Sequence, residues 1–205
     1  MNASTAFSTA RSLMNDLSDY IWTDNILLPF LVQGFRELED ELRACDAPVM
    51  KALEVETVPA ATTSISTLPS GRVLIAPIRL YERPQSDPND STYSLMTEWN
   101  PLPYIVPGAQ RVWWTWDGQK INFNPAIPTT LIKVEAWARL TEPTGASSSL
   151  IFPEAEDYLG PRTAALACKS VGENARHDTY TMLAKESLSN IIYANRGRSK
   201  NTPKP

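Results

Sequence analysis

The run Arg111-Val112-Trp113-Trp114-Thr115-Trp116-Asp117-Gly118-Gln119-Lys120-Ile121-Asn122-Phe123-Asn124 decides the fold class. Val112, Trp114 and Trp116 fall on alternate positions, and Ile121 and Phe123 repeat the alternation on the way back. Asp117-Gly118 between them supplies residues that tolerate positive φ, so the stretch reads as a β-hairpin with one buried face.

Further along, residues 131–140 alternate again, with Ile132, Val134, Ala136 and Ala138 inward and Lys133, Glu135 and Arg139 outward. Before the hairpin, residues 55–58, 63–65 and 73–81 are β-rich and broken by Pro59, Pro69, Gly71, Pro77 and Pro84. Of the 17 prolines, 11 lie between Pro48 and Pro128. Proline lacks an amide donor, so no long helix crosses this region.

The periodicity changes at both ends. Residues 3–17 predict a short helix with Ala6, Leu13, Met14 and Leu17 on its apolar stripe. Thr23 is placed to cap a second helix, with Asp24 in its first turn and Leu27, Leu31, Phe35, Leu38, Leu42 and Cys45 at three- and four-residue steps. Pro29 sits early enough to be tolerated there. Glu37, Glu39, Asp40, Glu41 and Arg43 read as a solvated face, with Glu37 and Glu41 as candidate subunit contacts.

After Pro153, which suits a first helical turn, Glu154, Glu156 and Asp157 precede an Ala-rich helix ended by Gly172. Residues 175–194 predict a last helix with Tyr180, Leu183, Ala184, Ser187, Leu188, Ile191 and Ile192 on one face. The expected fold class is α+β. Helices over 1–47 and 151–195 pack as one bundle, 48–150 form an antiparallel β-sheet or sandwich insertion, and 196–205 extend as a mobile basic tail.

The chain of 205 residues is 42% hydrophobic and 20% charged, in the range of folded globular proteins. Its net charge of −4 is unevenly spread. Arg196, Arg198, Lys200 and Lys204 stand in the last ten residues with no acid among them, and the preceding 195 residues carry −8. An acidic body argues against binding along nucleic acid, whose affinity comes from neutralised phosphates. The basic tail, with Pro203 and Pro205, suits docking by the end of the chain. No apolar run suggests a membrane span, residues 1–16 hold only Arg11 as a base, and Cys45 and Cys168 read as isolated core thiols, which predicts a protein kept in a reducing cytoplasm.

Chemistry is sparse. His177 is the single histidine, so any Ser-His or Cys-His site would need it, and it reads as a surface residue at a helix start. One histidine and two solitary cysteines build no metal site, and the eight glycines form no phosphate loop. The expectation is a non-enzyme without metal or cofactor. Trp99 and the cluster Trp113, Trp114 and Trp116 raise the question of sugar or base stacking. Trp114 and Trp116 are in phase with the core, which leaves Trp113 and Trp99 as candidates for meeting a partner.

Several phrases together resemble the head-to-tail connector (adaptor) proteins of tailed bacteriophages. They are Trp22-Thr23-Asp24, Ile26-Leu27-Leu28 and Phe35-Arg36-Glu37-Leu38; then Leu68-Pro69, Ile78-Arg79-Leu80-Tyr81-Glu82-Arg83 and Ile121-Asn122-Phe123-Asn124-Pro125-Ala126. Tyr158-Leu159 and Thr163-Ala164-Ala165-Leu166-Ala167 continue the match, which spans 17–195, while Gln33 and Gly34 depart from the family's pattern.

The resemblance implies a dodecameric ring in the virion neck, assembled in the host cytoplasm. Its partners would be the portal protein on one side and a tail, tail-completion or stopper protein on the other, with DNA passing through without specific binding. It further implies that residues 196–205 dock to the portal. A different class remains open: a tail-associated β module that binds carbohydrate or another ligand through Trp99 or Trp113.

Overall fold

Among the described residues, four α-helices and eight strands follow one another as two helices, all the strands, then two helices. The structure is a computed structural model describing residues 2–16, 18, 20–87, 89, 92–102, 107–150 and 154–199, with 195–199 described in their backbone alone. No described helix is long and apolar enough to cross a membrane. The chain divides into a helical unit, Met1–Val49 with Thr141–Pro205, and a β unit, Met50–Leu140. The fold class is α+β, as the periodicities require.

In the helical unit, α1 (Ala3–Met14) and α2 (Asp24–Ala44) pair with α3 (Ala155–Ser170) and α4 (Asn174–Ser199). Helix α3 is the centre: Tyr158, Leu159, Gly160, Pro161 and every residue from Thr163 to Cys168 are buried, because α1, α2 and α4 all pack on it. The crossing with α1 is close. A Cβ placed on Gly160 would lie 2.7 Å from both Cβ and Cγ2 of Thr9, so only glycine fits.

Helix α1 ends three residues sooner than its apolar pattern suggests. Asn15 turns left-handed, and the Asp16 carboxylate accepts the backbone N–H groups of Ile21 at 3.0 Å and Trp22 at 2.6 Å. The buried stripe is Ala3, Ala6, Phe7, Ala10 and Met14; Leu13 is half-buried, and Leu17 lies outside the described residues. Thr23 occupies the N-cap position of α2 without a side-chain cap bond, while Asp24 pairs with Arg11.

On α2, Leu27, Leu31, Phe35, Leu38 and Leu42 are buried as expected, but Cys45 is only half-buried. The solvated-face reading fails at Glu39, which is buried. In α4, Tyr180, Ala184 and Ile191 are buried, whereas Leu183 stands 41% exposed at the edge of the stripe. The helix continues through Ser199, beyond the expected end at 194, because nothing before the Thr202-Pro203 pair forbids helix. Pro153 lies outside the described residues. Segment 141–150 also belongs to the helical unit: Ala146 and Ser148 carbonyls accept the N–H groups of Ser4 and Ala3, each at 2.9 Å.

The β unit holds two four-stranded sheets. The first, ordered β1-β8-β3-β4, is antiparallel and built from β1 (Lys51–Val58), β3 (Leu74–Pro84), β4 (Ser94–Leu95) and β8 (Thr130–Ala138). The second, ordered β2-β7-β6-β5, contains β2 (Ser64–Ile65), β5 (Thr97–Glu98), β6 (Trp113–Trp116) and β7 (Ile121–Phe123), with β5 parallel to β6. Pro77 is accommodated inside β3 at a shift of register against β8.

One core serves both sheets, with Leu80, Ile132 and Val134 from the first meeting Trp114, Ile121 and Phe123 from the second. Hairpin and β8 follow the sequence reading, β8 alternating buried and half-buried along its whole length. Two details differ. Val112 is 40% exposed, and of the Asp117-Gly118 pair only Gly118 has positive φ, because Asp117 closes the turn with its carboxylate on the N–H groups of Gln119 and Lys120. Arg111, wholly buried, binds the carbonyls of Pro59 at 2.8 Å and Thr62 at 3.1 Å and the hydroxyl of Thr130, with Phe123 beneath its guanidinium.

Candidate interaction face

Strand β1 reads Lys-Ala-Leu-Glu-Val-Glu-Thr-Val, and its Leu53 and Val55 point away from the core. Ala52, Glu54 and Glu56 stand opposite Ala136, Val134 and Ile132, on the core side of β8. Leu53 and Val55 stand opposite Glu135 and Lys133, on the outer side, and are 66% and 45% exposed. Glu54 is held by the N–H and hydroxyl of Ser70 at 2.8 and 2.6 Å. A two-residue period fixes this choice: the register that buries Ala136, Val134 and Ile132 of β8 forces Leu53 and Val55 out.

The outer face crosses all four strands. Val55, Lys133, Tyr81 and Leu95 form one cross-strand row, and Leu53, Glu135 and Arg79 the next. Leu95 is 63% exposed. Lys133 lies over the Tyr93 ring at 4.1 Å, and Lys51 over Trp137 at 4.9 Å. A shallow cavity of about 470 Å³ opens between Lys51, Leu53, Tyr81, Tyr93, Lys133 and Glu135. Lys51, Arg79 and Lys133 against Glu135 make the face cationic on a chain of net charge −4. Strand β1 is also the sheet's edge and has no strand on its far side among the described residues. An edge with exposed apolar side chains is the kind of surface through which chains associate.

The helical unit presents a second, polar groove of about 420 Å³ among Glu37, Glu41, Tyr158, Arg162, Lys169, His177 and Lys185. Arg162 grips Glu37 with two bonds, 2.6 and 3.0 Å long, and reaches Thr181 of α4 at 3.3 Å. Burial pushes the Glu37 carboxyl up, but the bonds and charge of Arg162 outweigh it and leave its pKa below the ordinary glutamate value. Burial drives the Tyr158 phenol beside them upward. Glu37, expected at a subunit contact, is thus engaged within its own bundle, whereas Glu41 is exposed.

Trp99 is 53% exposed and Trp113 half-buried, both in the second sheet's region, away from the row just described. Arg196 and Arg198 lie on the helical backbone of α4, and Lys200, Pro203, Lys204 and Pro205 fall outside the described residues. The His177 ring sets Nδ1 3.0 Å from the Ala165 carbonyl oxygen, a helix-to-helix tie. Burial raises the Cys168 thiol, which disfavours a thiolate nucleophile. Among the described residues no three His, Cys, Asp or Glu side chains gather as a metal site.

The sequence reading found Lys133 and Glu135 outward but missed Leu53 and Val55. The signal was present in the Leu-Glu-Val-Glu alternation, which has two phases that only the register against β8 can tell apart. A family model described as SU10 adaptor protein matches residues 1–203. Comparison with curated proteins gives no match.

Proposed function

Since the chain belongs to the SU10 adaptor protein family, we propose that it works as a ring-forming head-to-tail connector that attaches to the portal and receives a tail or tail-completion protein. The family makes it a bacteriophage adaptor, a structural protein of the virion. The observation that carries the ring is the outer face of the first sheet: Leu53, Val55 and Leu95 are exposed on one surface, which a solitary soluble protein has reason to avoid.

Charge supports the rest of the reading. A body of −8 repels DNA phosphates, so a genome passes through such a ring without adhering. The four bases of residues 196–205 carry the opposite sign and suit an end that docks into the portal. Deleting residues 196–205 tests the docking role. Circular dichroism should show the helices retained, and portal attachment should be lost; attachment at the full-length level would count against it.

A further inference from the structure

We propose that the outer face of the β1-β8-β3-β4 sheet receives the outward side of α4 from a neighbouring copy, forming the head-to-tail contact that propagates the ring. The inference rests on the ring reading above and adds the surfaces that make it. A ring needs two different patches on each copy, one fitting the other, because a self-complementary patch closes as a dimer.

The second patch is on α4. Tyr180, Ala184 and Ile191 are buried, so the opposite side of the helix carries Met182, Glu186 and Tyr193 with Asp178 beside them. Met182 is 72% and Tyr193 83% exposed, and both acids are exposed. The sheet face offers apolar groups with cations; this helix face offers apolar groups with anions.

The spacing of the charges also agrees. Asp178 and Glu186 are eight residues apart on a helix, about 12 Å at a rise of about 1.5 Å per residue. Lys51 lies opposite Trp137, and Lys133 is four residues along the same strand from Trp137. At about 3.3 Å per residue and one strand spacing across, the two lysines are about 14 Å apart. A helix laid along β1 and β8 with its C-terminal end toward Lys133 therefore brings Glu186 to Lys133 and Asp178 to Lys51 and sets Met182 over Leu53 and Val55. Nucleic acid is the poorer occupant, since phosphates have no use for Leu53, Val55 and Leu95 and Glu135 opposes them.

Charge exchange on the full chain, co-assembled with the portal protein of its own phage, tests the contact. Lys133→Glu and Glu186→Lys should each reduce the copies retained on the portal at least tenfold. The two changes combined in one chain should restore retention, since every interface then carries the swapped pair. Circular dichroism controls for folding, and these surface sites leave the cores untouched. Retention of both single variants at the wild-type level would overturn the proposal while leaving the ring intact. Single defects that the combined variant does not rescue would overturn it as well. A wild-type chain that binds the portal without contacting its own copies would overturn both readings. Loss of DNA retention in Lys133→Glu with assembly unchanged would assign the face to nucleic acid instead.

Discussion

Tyr180 in the last helix donates its hydroxyl to the backbone carbonyl of Leu13 in the first, at 2.5 Å. That carbonyl belongs to the final turn of α1, where no intrahelical donor exists, so the phenol both satisfies it and ties the two ends of the chain together. Tyr180→Phe keeps the packing and removes the bond. It should cost about 0.5–1.5 kcal/mol in urea unfolding followed by circular dichroism, and an unchanged midpoint would show the tie to be idle.

Gly160 and Thr9 make the opposite kind of contact, one of exclusion. In an open helix, alanine in place of glycine gains about 1 kcal/mol of propensity. Here the added methyl meets Thr9 at 2.7 Å, and overpacking of this kind costs about 1–3 kcal/mol. Gly160→Ala should therefore lower stability, while Gly145→Ala, with nothing within 4 Å, should leave the same melting curve unaltered.

In the β unit, Glu82 and Arg111 are both about 1% exposed. Burial raises the Glu82 carboxyl, opposed by the backbone N–H and the charge of Arg111. Glu82→Leu removes the acceptor of the Arg111 backbone N–H and a charge acting on its guanidinium, which itself bonds Pro59, Thr62 and Thr130, a loss of about 1–3 kcal/mol. The double variant Glu82→Leu with Arg111→Met should lose less than the two single losses added together. Five of the six tryptophans, Trp99, Trp113, Trp114, Trp116 and Trp137, lie in this unit and Trp22 in the helical one, so tryptophan fluorescence measured with Trp22→Phe as background reads the β unit. Simple additivity of the two single losses would contradict the pairing.

Asp117 at the hairpin turn accepts bonds from Asn122, Lys120 and Gln119, which lower its pKa from 3.8 to about 2. A carboxyl depressed in the folded state adds stability above its unfolded value and loses it as the pH falls through the folded one. The hairpin should thus weaken between about pH 4 and pH 2. Asp117→Asn should flatten that part of the fluorescence-detected stability curve; an identical slope in the variant would place the effect elsewhere.

The sequence revealed elements wherever one period dominated. Residues 111–124 and 130–138 alternate without interruption, and the structure keeps every inward position there except Val112. A charged side chain misled at Glu39, read as part of a solvated face and found buried, and the burial of Arg111 depends on carbonyls distant in the chain that no local pattern shows. The interaction face was illegible for a different reason. In β1 the apolar and acidic phases are interchangeable until β8 supplies the register, so Leu53 and Val55 look like core and turn out to be surface. The two-residue strands β4 and β5 are too short to carry any period.

A ring-forming connector is one of many identical subunits joined by contact. Counting copies in the neck of its own virion, by mass measurement of the isolated portal complex or by imaging, tests this most directly. A closed ring, dodecameric by the family resemblance, with each copy touching two others, is the predicted result. One copy per particle, or none in the neck, would contradict it.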